Sequence, residues 1–268
     1  MSDNSSKEKL NERQKKILEK LQIGKDISIN DVAEEFNVHP MTIRRDLKLF
    51  EEMGIVVRTY GGARTNPTRR SVKYLSDEDI NLNIEKKVAI ARYVVENIIK
   101  DNDYIYLDSG STILQVAKAL IRRSRITVAT NSIDILAELY HQPDVNTLIL
   151  GGSLSVNSSS MHGPYAIQRL KALKVSKSIL SCDAVVPKQG FFTNNDIEAT
   201  LNEFAIETAE KGNRYIIADS TKIGELSAYK FANFKDFDVF VTDSHITDKQ
   251  LRLLENDIDI AIAQVKQL

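Results

Sequence analysis

One stretch decides how the N-terminal part of the chain folds: VHPMTIRRDLKLF, residues 38–50. Pro40 suits the first position of a helix, because its missing N–H would have no partner there. Gly54 is a natural residue to follow a helix, so the stretch predicts a helix over residues 40–53. Residues 37–39 before it predict a tight turn.

The two faces of this predicted helix differ in character. At about 100° per residue, one sector of roughly 100° holds four residues: Met41, Arg44, Arg45 and Lys48. The opposite side is apolar and carries Ile43, Leu47 and Phe50. Recognition helices use this geometry, since their N-terminal residues meet base edges while the apolar stripe packs on the preceding helices. Arginine can contact guanine O6 and N7 together, and lysine can neutralise a phosphate.

Two shorter helices are predicted before this one. Ile17, Leu18 and Leu21 indicate an amphipathic helix over residues 12–21, which Gly24 ends. Asn30 is the predicted cap of a second helix over residues 31–36. A short helix, a tight turn and a longer helix have the spacing of a helix-turn-helix.

A β-prone segment follows the predicted recognition helix. Residues 55–60 read IVVRTY, and Gly61 and Gly62 close them, which predicts a small wing with Arg58 and Arg64 as contacts to the DNA backbone. A pair of arginines on a helix is by itself more often a solvated face. The capped turn, the opposed apolar stripe and the wing together favour DNA binding over that alternative.

The composition is that of an ordinary globular protein. The chain is 42% apolar and 27% charged, and its 36 Lys/Arg nearly cancel its 37 Asp/Glu. An architectural DNA-binding protein would need a strongly basic surface, so this balance disfavours that class. The single cysteine, Cys182, excludes an intramolecular disulfide and a cysteine-based zinc cluster. We predict no cofactor and no metal.

No segment approaches the roughly 20 apolar residues of a membrane span, so we expect a soluble, cytoplasmic protein without a membrane partner. Residues 1–70 hold 14 basic and 11 acidic residues, whereas the remainder holds 22 and 26. The sequence TNPTRRS at residues 65–71 breaks any periodic pattern. We therefore predict a DNA-binding domain over residues 1–65, a linker over 66–80 and a second domain over 81–268.

Short apolar runs alternate with helical stretches in the second domain. They lie at residues 104–107, 126–129, 147–150, 178–181, 215–218 and 239–241, and small polar residues follow each run. The first three begin 22 and 21 residues apart, the spacing of strand–helix–strand repeats. This spacing predicts a mostly parallel, Rossmann-like α/β sheet. Ligands bind such sheets outside the carboxyl ends of the strands.

The sharpest of these strand ends is DSGST, residues 108–112, which precedes a predicted helix over residues 113–121. Gly110 permits a tight turn, and the hydroxyls with the free N–H groups of the helix start can surround a phosphate monoester. Lys222, three residues after Asp219 at another strand end, can supply a second positive charge. Each signal is weak alone, because such loops often only cap helices and surface lysines are usually solvated.

Almost the entire chain resembles the DeoR family of bacterial transcriptional regulators. The likeness to the family's winged helix-turn-helix rests on ERQKKIL at 12–18, TIRRDL at 42–47 and RTYGGA at 58–63. The likeness to its effector-sensing domain rests on EKK at 85–87, DSGST at 108–112, TNS at 130–132, GG at 151–152 and DSTK at 219–222. That domain is similar in fold to ribose-5-phosphate isomerase, and its members typically sense phosphorylated sugars.

The helix geometry and the resemblance together indicate candidate site residues. The candidate DNA contacts are His39, Met41, Thr42, Arg44, Arg45, Lys48, Arg58 and Arg64. The resemblance implies that the phosphate is held by Ser109, Gly110, Ser111 and Thr112. It implies that the sugar is surrounded by Thr130, Asn131, Asp183, Glu198 and Lys222. Three further candidates complete the effector site: Asp108, Gly151 and Gly152.

Three positions depart from the usual family pattern. His39 stands where the family usually has Ser, and Ala184 stands where Gly commonly follows the residue matching Asp183. Asn202, four residues after Glu198, stands where Lys is common. The predicted pocket therefore lacks one positive charge, and its effector is expected to be less anionic or held differently.

The sequence thus predicts a DNA-binding regulator, a repressor of sugar-metabolism genes, rather than an enzyme. Its partners would be double-stranded operator DNA and a phosphorylated sugar effector. Because one recognition helix covers one half-site, we expect a homo-oligomer, either a dimer or a tetramer. The alternative is a sugar-phosphate isomerase with a DNA-binding appendage, in which Glu198 is the general base. That alternative leaves the helix-turn-helix without a purpose.

Overall fold

The structure is a computed structural model, and it describes residues 11, 13–14, 16–17, 20, 27–52, 56–59, 61–65, 81–155 and 158–266. Contacts within the chain divide it into two units, Met1–Ser71 and Val72–Leu268. The predicted linker, residues 66–80, lies outside the described residues, as do Gly24 and Gly54. The predicted domain boundaries therefore stay a prediction.

The N-terminal unit is a helix-turn-helix with a three-stranded sheet. Its elements, in chain order, are β1 (Ile27–Ser28), α1 (Ile29–Glu35), α2 (Pro40–Glu52), β2 (Val56–Thr59) and β3 (Gly62–Thr65). Strand β3 pairs antiparallel with both β2 and β1. Helical residues at 13–14, 16–17 and 20 precede β1. The predicted helix-turn-helix and wing are therefore present.

The cap of α1 is Ser28, and the prediction of Asn30 is wrong. Ser28 has an extended backbone, and its Oγ accepts the N–H of Asp31 at 3.4 Å, so the helix begins before Asn30. Serine and asparagine are equally good caps. The pairing of Ser28 with Gly62 keeps Ser28 in a strand, and this long-range pairing leaves no local signal in the sequence.

The C-terminal unit alternates strands and helices. In chain order its elements are α3 (Ile84–Tyr93), a π-helical turn (Val94–Ile98), β4 (Tyr104–Leu107), α4 (Ser111–Ala119), a 3₁₀ turn (Leu120–Arg122), β5 (Ile126–Thr130), α5 (Ile133–Leu139), β6 (Val145–Ile149), β7 (Ser153–Ser155), β8 (Ser160–His162), α6 (Pro164–Ala172), β9 (Lys177–Ser181), β10 (Ala184–Val186), β11 (Gly190–Thr193), α7 (Asp196–Ile206), β12 (Arg214–Ile217), a 3₁₀ turn (Ser220–Lys222), β13 (Tyr229–Ala232), a 3₁₀ turn (Phe234–Asp236), β14 (Val239–Asp243), α8 (Asp248–Leu254) and β15 (Asp259–Ala263).

A seven-stranded sheet in the order β15-β14-β12-β9-β4-β5-β6 forms the centre of this unit. All six neighbouring pairs are parallel, so the predicted parallel α/β sheet is confirmed. Six of its strands were predicted, and β15 is a seventh. Most boundaries differ from prediction by one or two residues: the strand expected at 147–150, for example, is Val145–Ile149, and the helix expected at 113–121 is Ser111–Ala119. The antiparallel β10-β11-β13 sheet and the β7-β8 hairpin were not predicted.

The strand order creates a switch point between β4 and β9. From β4 the chain proceeds outward through β5 and β6, whereas β9 lies on the other side of β4 and is followed outward by β12, β14 and β15. Ligands of open parallel sheets bind at such a switch point, outside the carboxyl ends of the strands. The loops after β4 and β9 therefore mark the candidate site. No helix in the described ranges is both long and apolar enough to cross a bilayer.

Two neighbouring glycines test the packing of the wing. A Cβ on Gly62 would lie 2.0 Å from the carbonyl oxygen of Ile27, whereas a Cβ on Gly61 would meet nothing within 4 Å. We expect Gly62→Ala to destabilise the N-terminal unit by about 3 kcal/mol, because the backbone of β1 must shift. The matched control, Gly61→Ala, should cost only about 1 kcal/mol, since its φ of +81° is merely unfavourable. Native-state hydrogen exchange of the α2 amides measures both, and equal losses would contradict this packing.

Candidate functional site

Helix α2 presents its basic face to solvent. Arg44, Arg45 and Lys48 are exposed, and Met41 is 47% exposed. The other face is fully buried and holds Ile43, Leu47 and Phe50. The predicted opposition of the two faces is therefore confirmed, and the basic side chains are accessible to a duplex.

The start of α2 is capped by the residue that departs from the family pattern. Nδ1 of His39 accepts the N–H of Met41 at 3.2 Å, and the carbonyl of His39 accepts the N–H of Thr42 at 2.8 Å. The imidazole thus does what a serine hydroxyl does at a helix start. His39 itself is exposed and Thr42 is half-buried.

Asp46 directly follows Arg44 and Arg45 in the sequence, but unlike them it is buried. Its carboxylate accepts hydrogen bonds from Arg13 Nε at 2.8 Å and from Gln14 Nε2 at 2.7 Å. Asp46 therefore ties the first helical residues to α2. The helical wheel contained this signal, because Asp46 falls about 200° from Arg44 and beside the apolar stripe.

The two wing arginines differ in position. Arg64 is exposed and lies opposite Val57 in the β2-β3 ladder. Arg58 lies opposite the buried Ala63 and is half-buried, and its Nε has no hydrogen-bond partner among the described residues. Only Arg64 therefore has the full exposure expected of a contact to the DNA backbone, and both contacts stay predictions.

In the C-terminal unit, the loop after β4 is fastened to the end of β9. The N–H of Ser181 donates to Asp108 Oδ2 at 3.3 Å, and Ser181 Oγ donates to the carbonyl of Ser109 at 3.1 Å. Gly110 has a φ of +113°, and a Cβ there would lie 3.0 Å from Ser181 Oγ. The turn thus needs glycine both for its conformation and for this close approach.

Helix α4 begins directly after this turn, at Ser111. Ser111 and Thr112 therefore lie in its first turn, where backbone N–H groups have no partner within the helix. Two hydroxyls, unpaired N–H groups and the positive end of the helix dipole together can hold an anion.

Two further predicted residues come together through Thr193. Its Oγ1 lies 3.0 Å from Asp183 Oδ2 and 3.3 Å from Glu198 Oε2, and the N–H of Asn194 also donates to Asp183 Oδ2, at 2.9 Å. The charges of Asp183 and Glu198 both act on Asp108. Residues from the ends of β4 and β9 and from α7 therefore lie close together, and their role in binding an effector stays a prediction.

The ionisation of these groups is perturbed mainly by burial. Burial raises the pKa of Asp108 to about 7; hydrogen bonds from the backbone of Ser109 and Ser181 oppose this rise, and the charges of Glu198 and Asp183 add to it. Burial likewise raises the pKa of Glu198. Asp108 thus exchanges its proton near neutral pH, and both carboxyl groups can accept hydrogen bonds from ligand hydroxyls.

Lys222 contributes positive charge to the same place. It ends the 3₁₀ turn after β12, and its charge lowers the pKa of the Cys182 thiol, which burial and Asp183 raise. Lys222 forms no ion pair with any other described residue. An ammonium that no described carboxylate engages is available to an anionic ligand.

Other predicted effector residues have structural contacts. Thr130 and Asn131 are buried; Thr130 Oγ1 accepts the N–H of Ser132 at 3.0 Å, and Asn131 Oδ1 accepts the hydroxyl of Tyr106 at 3.3 Å. Gly152 allows close packing against β8, since a Cβ there would lie 2.4 Å from the carbonyl oxygen of His162. A role of these residues in ligand binding stays a prediction, as does one for Gly151.

Two cavities lie elsewhere in the C-terminal unit. One of about 480 Å³ is lined by residues of α3 and of the chain after β15, and one of about 110 Å³ by residues of β6 and α6. The predicted site residues line neither. Among the described residues, no group of three or more His, Cys, Asp or Glu could hold a metal ion. The candidate site is therefore formed by the polar side chains that follow the carboxyl ends of β4, β9 and β12.

A helix-turn-helix with an exposed basic helix, followed by a parallel α/β unit with a strand-end site, defines a DNA-binding regulator with a sensing domain. Residues 13–69 match the DeoR-like helix-turn-helix domain, and residues 82–244 match the DeoR C terminal sensor domain. The chain belongs to the DeoR family of transcriptional regulators.

Named relatives agree with this assignment. The chain is 30% identical over 241 residues to the lactose phosphotransferase system repressor of Lactococcus lactis subsp. lactis, covering 89% of this chain and 93% of the relative. It is 32% identical over 239 residues to the transcriptional repressor AccR of Agrobacterium fabrum, covering 87% and 89%. Ribose 5-phosphate isomerase from Plasmodium falciparum matches over 52% of each chain with 16% identity and a TM-score of 0.37. A likeness of that size says nothing about activity.

The raised pKa of Asp108 predicts a pH dependence of stability. Because the folded state holds the Asp108 proton more tightly than the unfolded state, this group's favourable contribution is complete below pH of about 4 and is lost as pH rises towards 7. Asp108→Asn, which cannot ionise, should therefore raise the thermal midpoint relative to wild type more at pH 8 than at pH 5. The exposed Asp257→Asn is the control, and an equal effect of Asp108→Asn at both pH values would contradict the shift.

Proposed function

We propose that this regulator is a repressor of sugar-metabolism genes whose affinity for operator DNA is controlled by a phosphorylated sugar bound at the carboxyl ends of β4, β9 and β12. The observation that carries the proposal is the convergence of the Ser109–Thr112 turn, the carboxylates Asp183 and Glu198, and the unpaired Lys222. The Ser109–Thr112 turn can hold an anion, and the two carboxylates can accept hydrogen bonds from hydroxyl groups. A sugar phosphate carries both kinds of group.

Contact with DNA is assigned to α2 and the wing. Arg44, Arg45 and Lys48 lie on the exposed side of a helix whose other side is buried, as a helix that enters the major groove requires. His39, Met41 and Thr42 lie at its N-terminal end. We assign base contacts to this end, and backbone contacts to the wing.

Control by the effector requires that it bind one state of the regulator better than the other. A difference of about 1–3 kcal/mol changes operator affinity roughly 5- to 150-fold. One recognition helix reads one half-site, so the regulator is proposed to act as a homo-oligomer on half-sites about 34 Å apart or multiples of that distance. We assign the contacts between copies to the C-terminal unit.

The relatives support the assignment to sugar genes. One relative is named for the lactose phosphotransferase system, and the match covers most of both chains.

The raised pKa values of Asp108 and Glu198 would also suit the general base of an isomerase. Because the family consists of regulators, we assign these carboxyl groups to ligand binding. Incubation with pentose and hexose phosphates is expected to give no interconversion.

Arg45 is the residue for testing DNA recognition. Arg45→Ala should weaken binding to a duplex selected by the wild-type protein from a random library by about 1–3 kcal/mol, because a bidentate contact to guanine is lost. The exposed Lys211→Ala, in the C-terminal unit, is the charge-matched control. Fluorescence anisotropy measures both affinities. An equal loss of effector binding in Arg45→Ala would count against a separate DNA surface.

A thermal-shift panel of sugar phosphates tests the effector site. A ligand at 100 times its Kd stabilises the folded state by about 2.7 kcal/mol. Ser111→Asp should abolish the shift for every ligand found, since its carboxylate would repel a phosphate at the start of α4. The control is Ser124→Asp, ahead of β5 at the opposite edge of the sheet. A shift that survives in Ser111→Asp would remove the phosphate site from this turn.

A further inference from the structure

The turn that carries Lys222 is held by a buried carboxylate from a neighbouring strand. Asp243 ends β14 and is fully buried. Its Oδ2 accepts the N–H of Ser220 at 2.6 Å, and its Oδ1 accepts the hydroxyl of Ser220 at 3.1 Å and the N–H of His245 at 2.9 Å. All three donors are neutral, so the charge of Asp243 is stabilised by oriented hydrogen bonds rather than by an ion pair.

Gln250 holds the same turn from α8. Its Nε2 donates to the carbonyl oxygens of Ser220 at 3.0 Å and Ile223 at 3.2 Å. Its Oε1 accepts the N–H of Thr247 at 2.9 Å, as part of the cap of α8. The backbone on both sides of Lys222 is therefore fixed by side chains from β14 and α8.

This double attachment matters because Lys222 has a long, flexible side chain. A lysine held only by its own loop loses its position easily, because ordering its long side chain costs rotamer entropy. Fixing the backbone on either side of Lys222 reduces the range over which its ammonium moves. The attachment also engages both carboxylate oxygens of Asp243 with donors other than the ammonium of Lys222.

We infer that Asp243, with Gln250, is a positioning residue that fixes the Lys222 ammonium beside the end of β9, where the proposed effector site needs a positive charge. The functional meaning of this inference rests on the proposed function. The inferred geometry does not, because it can be measured without any effector.

The chain contains its own reporter of the Lys222 position. Cys182 is the only cysteine of the chain and is half-buried, and the charge of Lys222 lowers the pKa of its thiol. If the ammonium moves away, the pKa of the thiol rises and alkylation by iodoacetamide slows. Each unit of pKa slows the reaction about threefold, because the thiolate fraction falls tenfold while its nucleophilicity rises about threefold.

The experiment measures the alkylation rate of Cys182 at pH 8 in the full chain without effector. Lys222→Gln should slow it, about threefold for each unit by which the thiol pKa rises, and Asp243→Asn should slow it in the same direction although Lys222 is intact. The direction is diagnostic: loss of a negative charge by itself would speed alkylation, whereas displacement of Lys222 slows it. The double variant should be no slower than Lys222→Gln alone.

A matched control lies on the same strand pair at the opposite edge of the sheet. Asp238 precedes β14 and accepts the N–H of Arg214, the first residue of β12, at 2.8 Å. Asp238→Asn should destabilise the pairing of β12 with β14 without changing the alkylation rate. Gln250→Met is a neutral second variant of similar size that removes both hydrogen bonds to the turn, so it should also slow alkylation. If Asp243→Asn does not fold, this second variant still tests the inference.

An unchanged or faster rate in both Asp243→Asn and Gln250→Met, with a slower rate in Lys222→Gln, would overturn the inference. An unchanged rate in Lys222→Gln would overturn it too, since Lys222 would then not lie beside Cys182. The proposed function fails by a different result, the absence of any thermal shift of the wild-type protein with sugar phosphates. The two failures are therefore distinguishable.

Discussion

The parallel pairing of β4, β9, β12 and β14 is the constraint on which the sensing unit depends. Because Leu107 pairs with Ile179, and Ile217 pairs with both Ser181 and Val241, these four strands end at one edge of the sheet. Parallel strands need long crossovers, so residues that meet at this edge come from distant parts of the chain. Asp108, Asp183 and Lys222 follow the carboxyl ends of β4, β9 and β12, so this register brings them to the same edge of the sheet.

Several carboxylates lie at this edge of the sheet, and hydrogen bonds stabilise their negative charges. Asp183 accepts hydrogen bonds from Thr193 and Asn194, and Asp243 accepts three neutral donors. Asp108 is buried, and the backbone hydrogen bonds from Ser109 and Ser181 only partly oppose the effect of burial, so its pKa rises to about 7. Lys222 forms no ion pair with these carboxylates in the part of the chain that the structure describes, which leaves its ammonium available for the proposed anionic ligand.

The N-terminal unit is organised by a different interaction. Asp46 joins the first helical residues to α2 through Arg13 and Gln14, and it does so from the side of α2 that also carries the buried stripe. With Asp46 engaged in the interior, its carboxylate does not lie on the exposed face of α2 that carries Arg44 and Arg45. The negative residue of the Arg-Arg-Asp sequence thus serves packing, and the positive residues are left for DNA.

Periodicity and turn chemistry in the sequence determined much of this protein. The opposed faces of α2, the wing, six strands of the parallel sheet and the strand-end position of residues 108–112 all follow from local patterns of apolar and polar residues. What depends on pairing between distant segments was decided only by the tertiary structure: Ser28 as the cap of α1, the placement of Asp46, the antiparallel β10-β11-β13 sheet, and the attachment of the Lys222 turn to Asp243 and Gln250. The sequence gives the type of each side chain, but the contacts of that side chain depend on the register between strands that are far apart in the chain. Local patterns of apolar and polar residues do not determine this register.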